Sequence, residues 1–231
     1  PPIRVGDIAR ETYRARVSFE MPDAEATRQA AEMVMRVEPR VFTETRGHLE
    51  RVPRELERFL FDVLHGRNME ALVPLARANW GVTQEQIERL RAHLTDEWIR
   101  AAMPAITRSI RKIGGLGIMD GKRRQEELNA ERYDFVALQP DGSRELRKLV
   151  GPVEYPDGLA AVLREELRDV PDLPGMASKE PVIDLLVQQM SPTLRWNQEA
   201  TDAALRRAAA AVEPRTRRIS QGSIILDAGQ K

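Results

Sequence analysis

The sequence predicts an α+β fold that is predominantly helical, with short strands near both chain ends and a hairpin in the middle. Three observations favour this class. Residues 13–19 alternate between apolar and polar side chains, which is typical of a half-buried strand. The middle of the chain repeats apolar residues at helical spacing. Near opposite ends, two similar helical segments are each stopped by a proline.

These two segments form an internal repeat. Each begins at a residue whose side-chain oxygen can accept a free backbone N–H, Asp23 or Asn197. Each ends before a proline, Pro39 or Pro214. Alanine-rich helices can resemble one another by accident, but the combined agreement favours a true repeat whose two copies pack as neighbours and enclose the middle section. The matched stretches are Glu-Ala-Thr at 25–27 and 199–201 and Val-Glu-Pro-Arg at 37–40 and 212–215, with one residue gained between Thr and Val in the second copy.

The predicted helices are defined by their apolar faces and by signals at their ends. Gly66 ends one helix as a cap, and Thr83 with Gln86 forms a capping box that starts another. Pro104 kinks the next helix or marks its start, and the glycines within 114–117 break it. The apolar faces are Ala26, Ala30, Met33, Val34 and Val37; Leu56, Phe59, Leu60, Val63 and Leu64; Ile87, Leu90 and Leu94; and Trp98, Ile99, Met103, Ile106 and Ile110, with a further short helix over 68–78.

The remaining part of the chain is predicted to contain strands and helices. Tyr133–Leu138 and Leu146–Val150 form a hairpin around the turn-forming residues Pro140–Ser143. The other predicted elements are an extended piece over Arg40–Thr43, a helix capped by Asp157 with Leu159, Val162, Leu163 and Leu167 facing inward, a helix over 181–190, and a strand–turn–strand tail over Ile219–Leu226 with Gly222 in the turn.

Length and composition predict one domain over residues 1–231, with ample core. Its terminal lobe comprises residues 1–45 and 183–231, and residues 46–182 form a mostly helical middle section. The 36 basic and 36 acidic residues balance, so we expect no nucleic-acid or anionic-membrane partner. There is no signal peptide and no run of 18 apolar residues. The chain starts at Pro1 without Met, and we expect flanking segments outside it.

The residues that usually carry catalysis or bind metals are scattered or missing. There is no cysteine, which excludes disulfides, thiolate catalysis and cysteine metal sites. None of the three histidines, His48, His65 and His93, precedes Asp or has a partner at helical metal-site spacing. His65 is expected to stabilise the end of a helix instead. We therefore predict no catalytic residue, no metal ligand and no cofactor site.

Other candidate motifs have a structural interpretation. The glycines at 114–117 lack dinucleotide-loop or P-loop spacing and predict a loop or bulge. The basic run at 122–124, followed by Glu126-Glu127, predicts a solvated loop, and Glu165-Glu166 is expected to be solvated as well. Trp196 fits either the core or the lining of a ligand pocket. No ligand-binding residue can be named from the sequence.

The repeats and the tail resemble a known family. They are similar to the extracytoplasmic domain of bacterial seven-transmembrane HD-hydrolase receptors, which opens with Gly-x-Ile-Ala, a Glu-Ala-Thr helix and a Val-x-Pro exit. The resemblance covers residues 3–45 and 183–231, and the middle matches in helical character and length. The residues that carry it are Val5-Gly6-Asp7-Ile8-Ala9, Asp23 to Pro39, Ser191-Pro192-Thr193-Leu194, Glu199-Ala200-Thr201, Val212 with Pro214, and Ile219-Ser220-Gln221-Gly222-Ser223-Ile224-Ile225 with Gly229.

The resemblance implies a sensory or regulatory domain outside the membrane. In such receptors one transmembrane helix precedes this domain, several follow it, and a cytoplasmic HD phosphohydrolase domain comes last. Characterised relatives hydrolyse cyclic di-AMP. A His-Asp metal site would then lie elsewhere in the full protein. The implied partners are the flanking transmembrane helices, an unknown small-molecule or cell-envelope ligand and, in a homodimer, a second copy of the chain.

Three functional hypotheses follow. The domain is a non-catalytic sensor of a membrane-bound phosphodiesterase, a structural or dimerisation module that binds another cell-envelope protein, or an enzyme with an unrecognised site. The missing catalytic motifs disfavour the enzyme. A closed pocket with converging polar groups would favour the sensor, and a large flat apolar interface would favour the assembly module.

Insertion between transmembrane segments also predicts the placement of the chain ends. We expect the two repeat helices to pack near one another, with Pro1 and Lys231 on the same side. Gly222 is expected to adopt a positive φ in the tail turn, where a Cβ is disfavoured.

Overall fold

The computed structural model describes residues 8–9, 11–66, 68–176 and 178–226. Most of the regular structure in these residues is helical, which confirms the predicted α+β class. The helices are α1 (Ala24–Val37), α2 (Val52–His65), α3 (Met69–Trp80), α4 (Gln84–His93), α5 (Asp96–Leu116), α6 (Gly121–Asn129), α7 (Asp157–Glu166), α8 (Glu180–Gln189) and α9 (Gln198–Ala210). The strands are β1 (Tyr13–Arg14), β2 (Phe19–Pro22), β3 (Arg40–Glu44), β4 (Ile118–Asp120), β5 (Asp134–Leu138), β6 (Arg144–Lys148), β7 (Val153–Tyr155), β8 (Leu194–Trp196), β9 (Thr216–Ile219) and β10 (Ile224–Leu226).

The chain divides into two compact units. The terminal unit combines the described residues up to Glu38 with those from Asp202 onward. The central unit runs from Pro39 to Thr201, so one boundary falls within α9. Both β3 and β8 belong to the central unit, which is why its limits differ from the predicted lobe limits at residues 45 and 183. The assignment of residues 1–231 to a single domain stays a prediction.

The terminal unit pairs strands from the two ends of the chain. β1 is antiparallel to β10, with Tyr13 opposite Leu226. β2 is antiparallel to β9, with Phe19 opposite Ile219. The chain therefore enters and leaves this unit through hydrogen-bonded neighbours. The tail was predicted to contain a strand, a glycine turn and a second strand, and this is confirmed; Gly222 has φ +86°.

The single half-buried strand predicted over residues 13–19 is wrong. The structure has two short strands in its place, and Val17 between them is 66% exposed. The register of β1 against β10 shifts between Tyr13 and Arg14. The Ser18 hydroxyl then accepts a hydrogen bond from the Gln221 backbone N–H at 3.0 Å. Distant partners in the tail, rather than the local alternation, determine where pairing stops.

The first repeat helix, α1, forms where the sequence predicts it. The Asp23 carboxylate accepts the Ala26 N–H at 2.9 Å, which confirms the predicted cap. The expected inward face is wrong at two positions, since Met33 and Val37 are 68% and 75% exposed. No residue of α1 is fully buried, because this unit supplies too few neighbours to cover a whole helical face.

The central unit contains a six-stranded mixed sheet in the order β6-β5-β3-β8-β4-β7. β3 pairs in parallel with β5 and antiparallel with β8. The predicted extended piece at Arg40–Thr43 is therefore a central strand, and the predicted hairpin is confirmed as β5 and β6. Phe42 and Phe135 meet edge to face with ring centroids 5.4 Å apart. This contact adds about 0.5–1.5 kcal/mol to the burial of the rings.

The helices of the central unit enclose a second and larger core. The predicted stripe of α2 is buried at Leu56, Phe59, Leu60 and Val63, and the capping box of α4 is present. α7 begins at Asp157 as predicted, but without a side-chain cap. α5 runs through Pro104 rather than starting there. Pro104 is exposed, so water can bond the carbonyl that its missing N–H leaves free.

The predicted break at 114–115 is wrong, because α5 continues to Leu116. Gly114 is buried, and a Cβ on it would lie 3.3 Å from the Leu49 side chain. The glycine thus permits close packing within a helix instead of ending it. Gly117, with φ +82°, is the residue that ends α5.

Both repeat copies make the same hydrogen bonds with exchanged partners. In the terminal unit, the Asp23 N–H donates to the Arg215 carbonyl at 2.7 Å, and the Arg215 N–H donates to Thr27 Oγ1 at 2.8 Å. In the central unit, the Asn197 N–H donates to the Val41 carbonyl at 2.9 Å, and the Val41 N–H donates to Thr201 Oγ1 at 3.0 Å. Each copy therefore begins at a cap bonded to the exit segment of the other copy.

The strands that flank the two helices follow the same exchange. β2 before α1 pairs with β9 after α9, and β8 before α9 pairs with β3 after α1. The spacing from threonine to the exit residue is equal in both copies, from 27 to 41 and from 201 to 215. The second copy has one residue more between threonine and proline and one residue fewer between proline and the exit residue, so the total spacing is unchanged. Packing of the two repeat helices against one another stays a prediction, and Pro1 and Lys231 lie outside the described residues.

Candidate functional site

A charged groove lies between the start of α2 and the exposed face of α5. Two adjoining cavities of about 650 Å³ and about 450 Å³ share Glu50, Pro53, Thr107 and Arg111. Both are open to solvent, so they form one continuous depression rather than an enclosed pocket. We call it the α2–α5 groove; its charged and polar lining comprises Arg46, Glu50, Arg54, Glu57, Arg100, Thr107, Arg108 and Arg111, and its apolar lining includes Leu49, Pro53, Met103, Pro104 and Ile110.

Helical geometry concentrates the arginines on one side of α5. At about 100° per residue, Arg100, Arg108 and Arg111 fall within about 80° of arc. Arg54 faces them from the first turns of α2. All four side chains are exposed, and none forms an ion pair within the part of the chain that the structure describes. Arg100 Nε donates to the Asp96 carbonyl at 3.2 Å, and the other guanidinium donors of the four have no partner among the described residues and are available to a ligand.

Two further features set the electrostatic character of the groove. Glu50 and Glu57 also line it and form no ion pair among the described residues. Five arginines against two glutamates make the groove cationic in a chain whose net charge is zero. The N-terminus of α2 adds partial positive charge here, since Arg51 gives it no side-chain cap.

One end of the groove is anchored to a buried carboxylate. Glu44, at the end of β3, is fully buried. Its Oε1 accepts from Arg46 at 2.7 Å and from Arg147 at 3.1 Å, whereas Oε2 has no partner in the described residues. The hydrogen bond to Glu145, followed by that to Glu44, raises the pKa of Arg147. Arg46 thus links the central sheet to the groove, and its position is fixed by a carboxylate that water does not reach.

The comparisons with known proteins give one match. A family model described as 7TM-HD extracellular matches residues 4–231. The chain belongs to the 7TM-HD extracellular domain family. The suspected resemblance to the extracytoplasmic domain of seven-transmembrane HD receptors is thereby confirmed, and the chain is the extracytoplasmic portion of such a protein. Searches of curated proteins and of solved structures found no match.

None of the helices that the structure describes in this 7TM-HD extracellular domain is both long enough and apolar enough to cross a membrane. Among the same residues, no group of three or more metal-ligating side chains is placed to hold a metal ion.

The three histidines of the 7TM-HD extracellular domain each contact a different part of the chain. The ring nitrogens lie 3.2 Å from the Ser191 carbonyl for His48, 2.9 Å from Asp96 for His65, and 2.8 Å from the Pro174 carbonyl for His93. His65 is the last residue of α2, as its predicted stabilising role requires. The structure does not bring the three histidines together.

The predicted solvated loop at 122–124 is wrong. These residues form the first turns of α6, which starts where Asp120 accepts the Arg123 N–H. Glu127 is only 2% exposed and pairs with Arg123 and Arg132, so its predicted solvation is also wrong. The buried charge of Glu127 is tolerated because both arginines lie close to its carboxylate.

The prediction that Trp196 packs in the core is wrong, since this residue is 42% exposed. Trp196 does not line either cavity of the α2–α5 groove, and its place in a ligand pocket stays a prediction. The Arg123 guanidinium stacks 3.8 Å from its ring centroid, and its indole N–H donates to Thr201 Oγ1. The ring therefore supports the second repeat. Glu166, also expected to be solvated, is partly covered and pairs with Lys112.

Sequence reasoning missed the α2–α5 groove, although one signal was present. Arg100, Arg108 and Arg111 already share a face on any helix drawn through these residues. The contribution of Arg54 and Arg46 depends on how α2 packs against α5, which helical periodicity alone does not specify.

Proposed function

We propose that this domain is the non-catalytic sensory module of a membrane-bound HD phosphohydrolase receptor. It responds to a ligand outside the membrane and alters the hydrolysis of a cyclic dinucleotide, cyclic di-AMP in characterised relatives, by a cytoplasmic domain of the same protein. Membership of the 7TM-HD extracellular family supports the extracytoplasmic location.

The observation that carries the proposal is the pairing of the chain's entry and exit. β1 pairs with β10 and β2 pairs with β9, so neighbouring antiparallel strands lead into and out of the domain. Paired strands lie about 5 Å apart. A domain held by two membrane segments needs adjacent entry and exit. A change in this strand pairing would move the two segments relative to one another.

The α2–α5 groove supports a sensory function over a purely structural one. A structural module needs complementary apolar surface, whereas this groove presents several charged groups that form no ion pair among the described residues. Such groups favour a polar ligand that binds and dissociates. A sensor also requires two states that the ligand distinguishes, and the strand pairing at the chain ends is the element that can differ between them.

The test measures cyclic di-AMP hydrolysis by the full-length receptor in proteoliposomes, with and without this domain. Residues 1–231 are replaced by a flexible linker that preserves the membrane segments. We expect the rate of hydrolysis to change at least about twofold while the oligomeric state is unchanged. An unchanged rate would overturn the proposal. A rate change that only follows loss of a dimer would favour the dimerisation module instead.

A further inference from the structure

We propose that the α2–α5 groove binds an acidic peptide segment, in which carboxylates alternate with apolar residues. The proposal rests on the proposed sensory function and specifies the chemistry of its ligand. A segment of a cell-envelope protein is the occupant that the groove fits.

The first argument is the unmatched positive charge. Arg54, Arg100, Arg108 and Arg111 are exposed on one groove and form no ion pair among the described residues. A guanidinium donates two parallel hydrogen bonds to one carboxylate, which is stronger and more directional than a neutral hydrogen bond. Elsewhere in the central unit, arginines such as Arg164 make this bidentate contact with a glutamate, here Glu180, at 2.8 and 3.0 Å. The four arginines named above make no such contact with an acidic side chain of the described residues, so a ligand carboxylate can take that place.

The second argument is the length of the arginine row. Arg100 and Arg111 are eleven residues apart on α5, or about 16 Å along the axis. One phosphate or one carboxylate cannot contact both ends of this row. An extended peptide advances about 3.3 Å per residue, so about five residues cover the distance. A carboxylate on the first residue would meet Arg100, and one four residues later, about 13 Å away, would lie near Arg108 and Arg111, which are about 12 and 16 Å from Arg100 along the axis.

The third argument separates a peptide from other polyanions. Glu50 and Glu57 lie among the arginines and would repel a uniformly charged polyphosphate or an anionic membrane surface. The lining also includes Pro53, which is partly exposed, and Pro104, which is exposed, and neither ring offers a charge to such a surface. A peptide can place apolar side chains on these residues, and its backbone N–H groups can donate to the two glutamates.

The first experiment uses the 231-residue chain and a fluorescein-labelled decapeptide of alternating glutamate and leucine. Fluorescence anisotropy gives the dissociation constant at low and moderate salt. The groove variant carries Arg108→Glu and Arg111→Glu. The control carries Arg77→Glu and Arg206→Glu, which change the net charge equally at exposed positions outside the groove. Loss of two charge-assisted contacts is expected to weaken binding about a hundredfold in the groove variant, against less than about threefold in the control.

A second variant keeps the positive charges of the groove but replaces the planar guanidinium groups. Arg108→Lys with Arg111→Lys is expected to lose about tenfold, because lysine cannot form the bidentate contact. All of these side chains are exposed, so circular dichroism and thermal melting of each variant should match the wild type. This comparison distinguishes lost binding from lost folding.

Four outcomes would overturn the proposal. The first is that the groove and control variants weaken peptide binding equally. The second and third are that phosphatidylglycerol vesicles bind as tightly as the peptide, or that an equal concentration of inorganic phosphate displaces the peptide. The fourth is that the chain forms a dimer that the groove variant abolishes. Any of these outcomes would show that an acidic peptide is not the ligand of the groove. The hydrolysis experiment on the full-length receptor would remain a valid test of the sensory function. Failure of this inference and failure of the proposed sensory function are therefore separable.

Discussion

Replacing Thr201 by valine should destabilise the central unit through one buried hydrogen bond. Thr201 is 2% exposed and its Oγ1 accepts the N–H of Val41, which is 1% exposed. Valine has nearly the same shape, so no cavity forms, but the Val41 N–H is left buried without an acceptor. Such a group costs about 1–3 kcal/mol. The indole N–H of Trp196, which also donates to Thr201, can turn to water because the ring is partly exposed. We expect a loss of about 2 kcal/mol in the free energy of unfolding.

The other repeat copy supplies the matched control. Thr27 accepts the Arg215 N–H in the same way, but Arg215 is exposed and water can replace the lost acceptor. Thr27→Val should therefore cost about 0.5 kcal/mol or less. The comparison isolates burial, since the substitution and the hydrogen bond are the same in both copies.

Urea denaturation followed by tryptophan fluorescence measures the free energy of unfolding of the central unit. All three tryptophans, Trp80, Trp98 and Trp196, lie in the central unit that contains Thr201. With a slope of about 2 kcal/mol per molar urea, Thr201→Val should lower the midpoint by about 1 M. An equal shift for the two threonine variants, or no shift for Thr201→Val, would refute the assigned hydrogen bond.

Three further predictions concern single sites. Gly222→Val should lower the free energy of unfolding, measured by thermal melting, by about 1 kcal/mol or more. The cause is the φ of +86° and not a steric clash, because a Cβ at this position would meet no atom within 4 Å. Gly222→Ala should therefore show much of the same loss. Glu180→Gln should cost about 0.5 kcal/mol at pH 7. The hydrogen bond from Arg164 lowers the pKa of Glu180 below 4.5, so this stabilisation is present above that value and should disappear in melts at lower pH; a loss that persists in acid would contradict the assignment. Glu20→Cys with Arg218→Cys should form a disulfide on mild oxidation, detected by a mobility shift, because the two residues are directly opposite in β2 and β9.

Local signals predicted the elements that local interactions build. The capping box at Thr83, the caps at Asp23 and Asn197, and the stripe of α2 are all present, since each depends on residues within a few positions of one another. The repeat was also visible in the sequence. The strand exchange that it encodes was not visible, because it joins residues far apart in the chain: Val41 and Thr201 are 160 positions apart, and Thr27 and Arg215 are 188 positions apart.

The predictions that failed depend on contacts that sequence periodicity does not show. The strand over residues 13–19 is interrupted by contacts from the tail, Gly114 remains helical because Leu49 packs against it, and Glu127 is buried because Arg123 and Arg132 neutralise it. The contacts from the tail and from Leu49 come from outside the local window, whereas Arg123 and Arg132 lie only four and five positions from Glu127. The α2–α5 groove also depends on a distant contact. Its arginines on α5 share a predictable face, but the groove exists only because α2 packs beside them.

The most direct test of the account is cyclic di-AMP hydrolysis by the full-length receptor that carries Glu20→Cys and Arg218→Cys, measured in proteoliposomes before and after oxidation. The bond fixes the pairing of β2 with β9, one of the two strand pairs that join the N-terminal and C-terminal parts of the described chain. The account predicts that oxidation changes the rate of hydrolysis at least about twofold and that reduction restores it, whereas each single-cysteine variant responds to neither treatment. The same rate in the oxidised and reduced states, with bond formation verified, would contradict transmission of a signal through the paired strands.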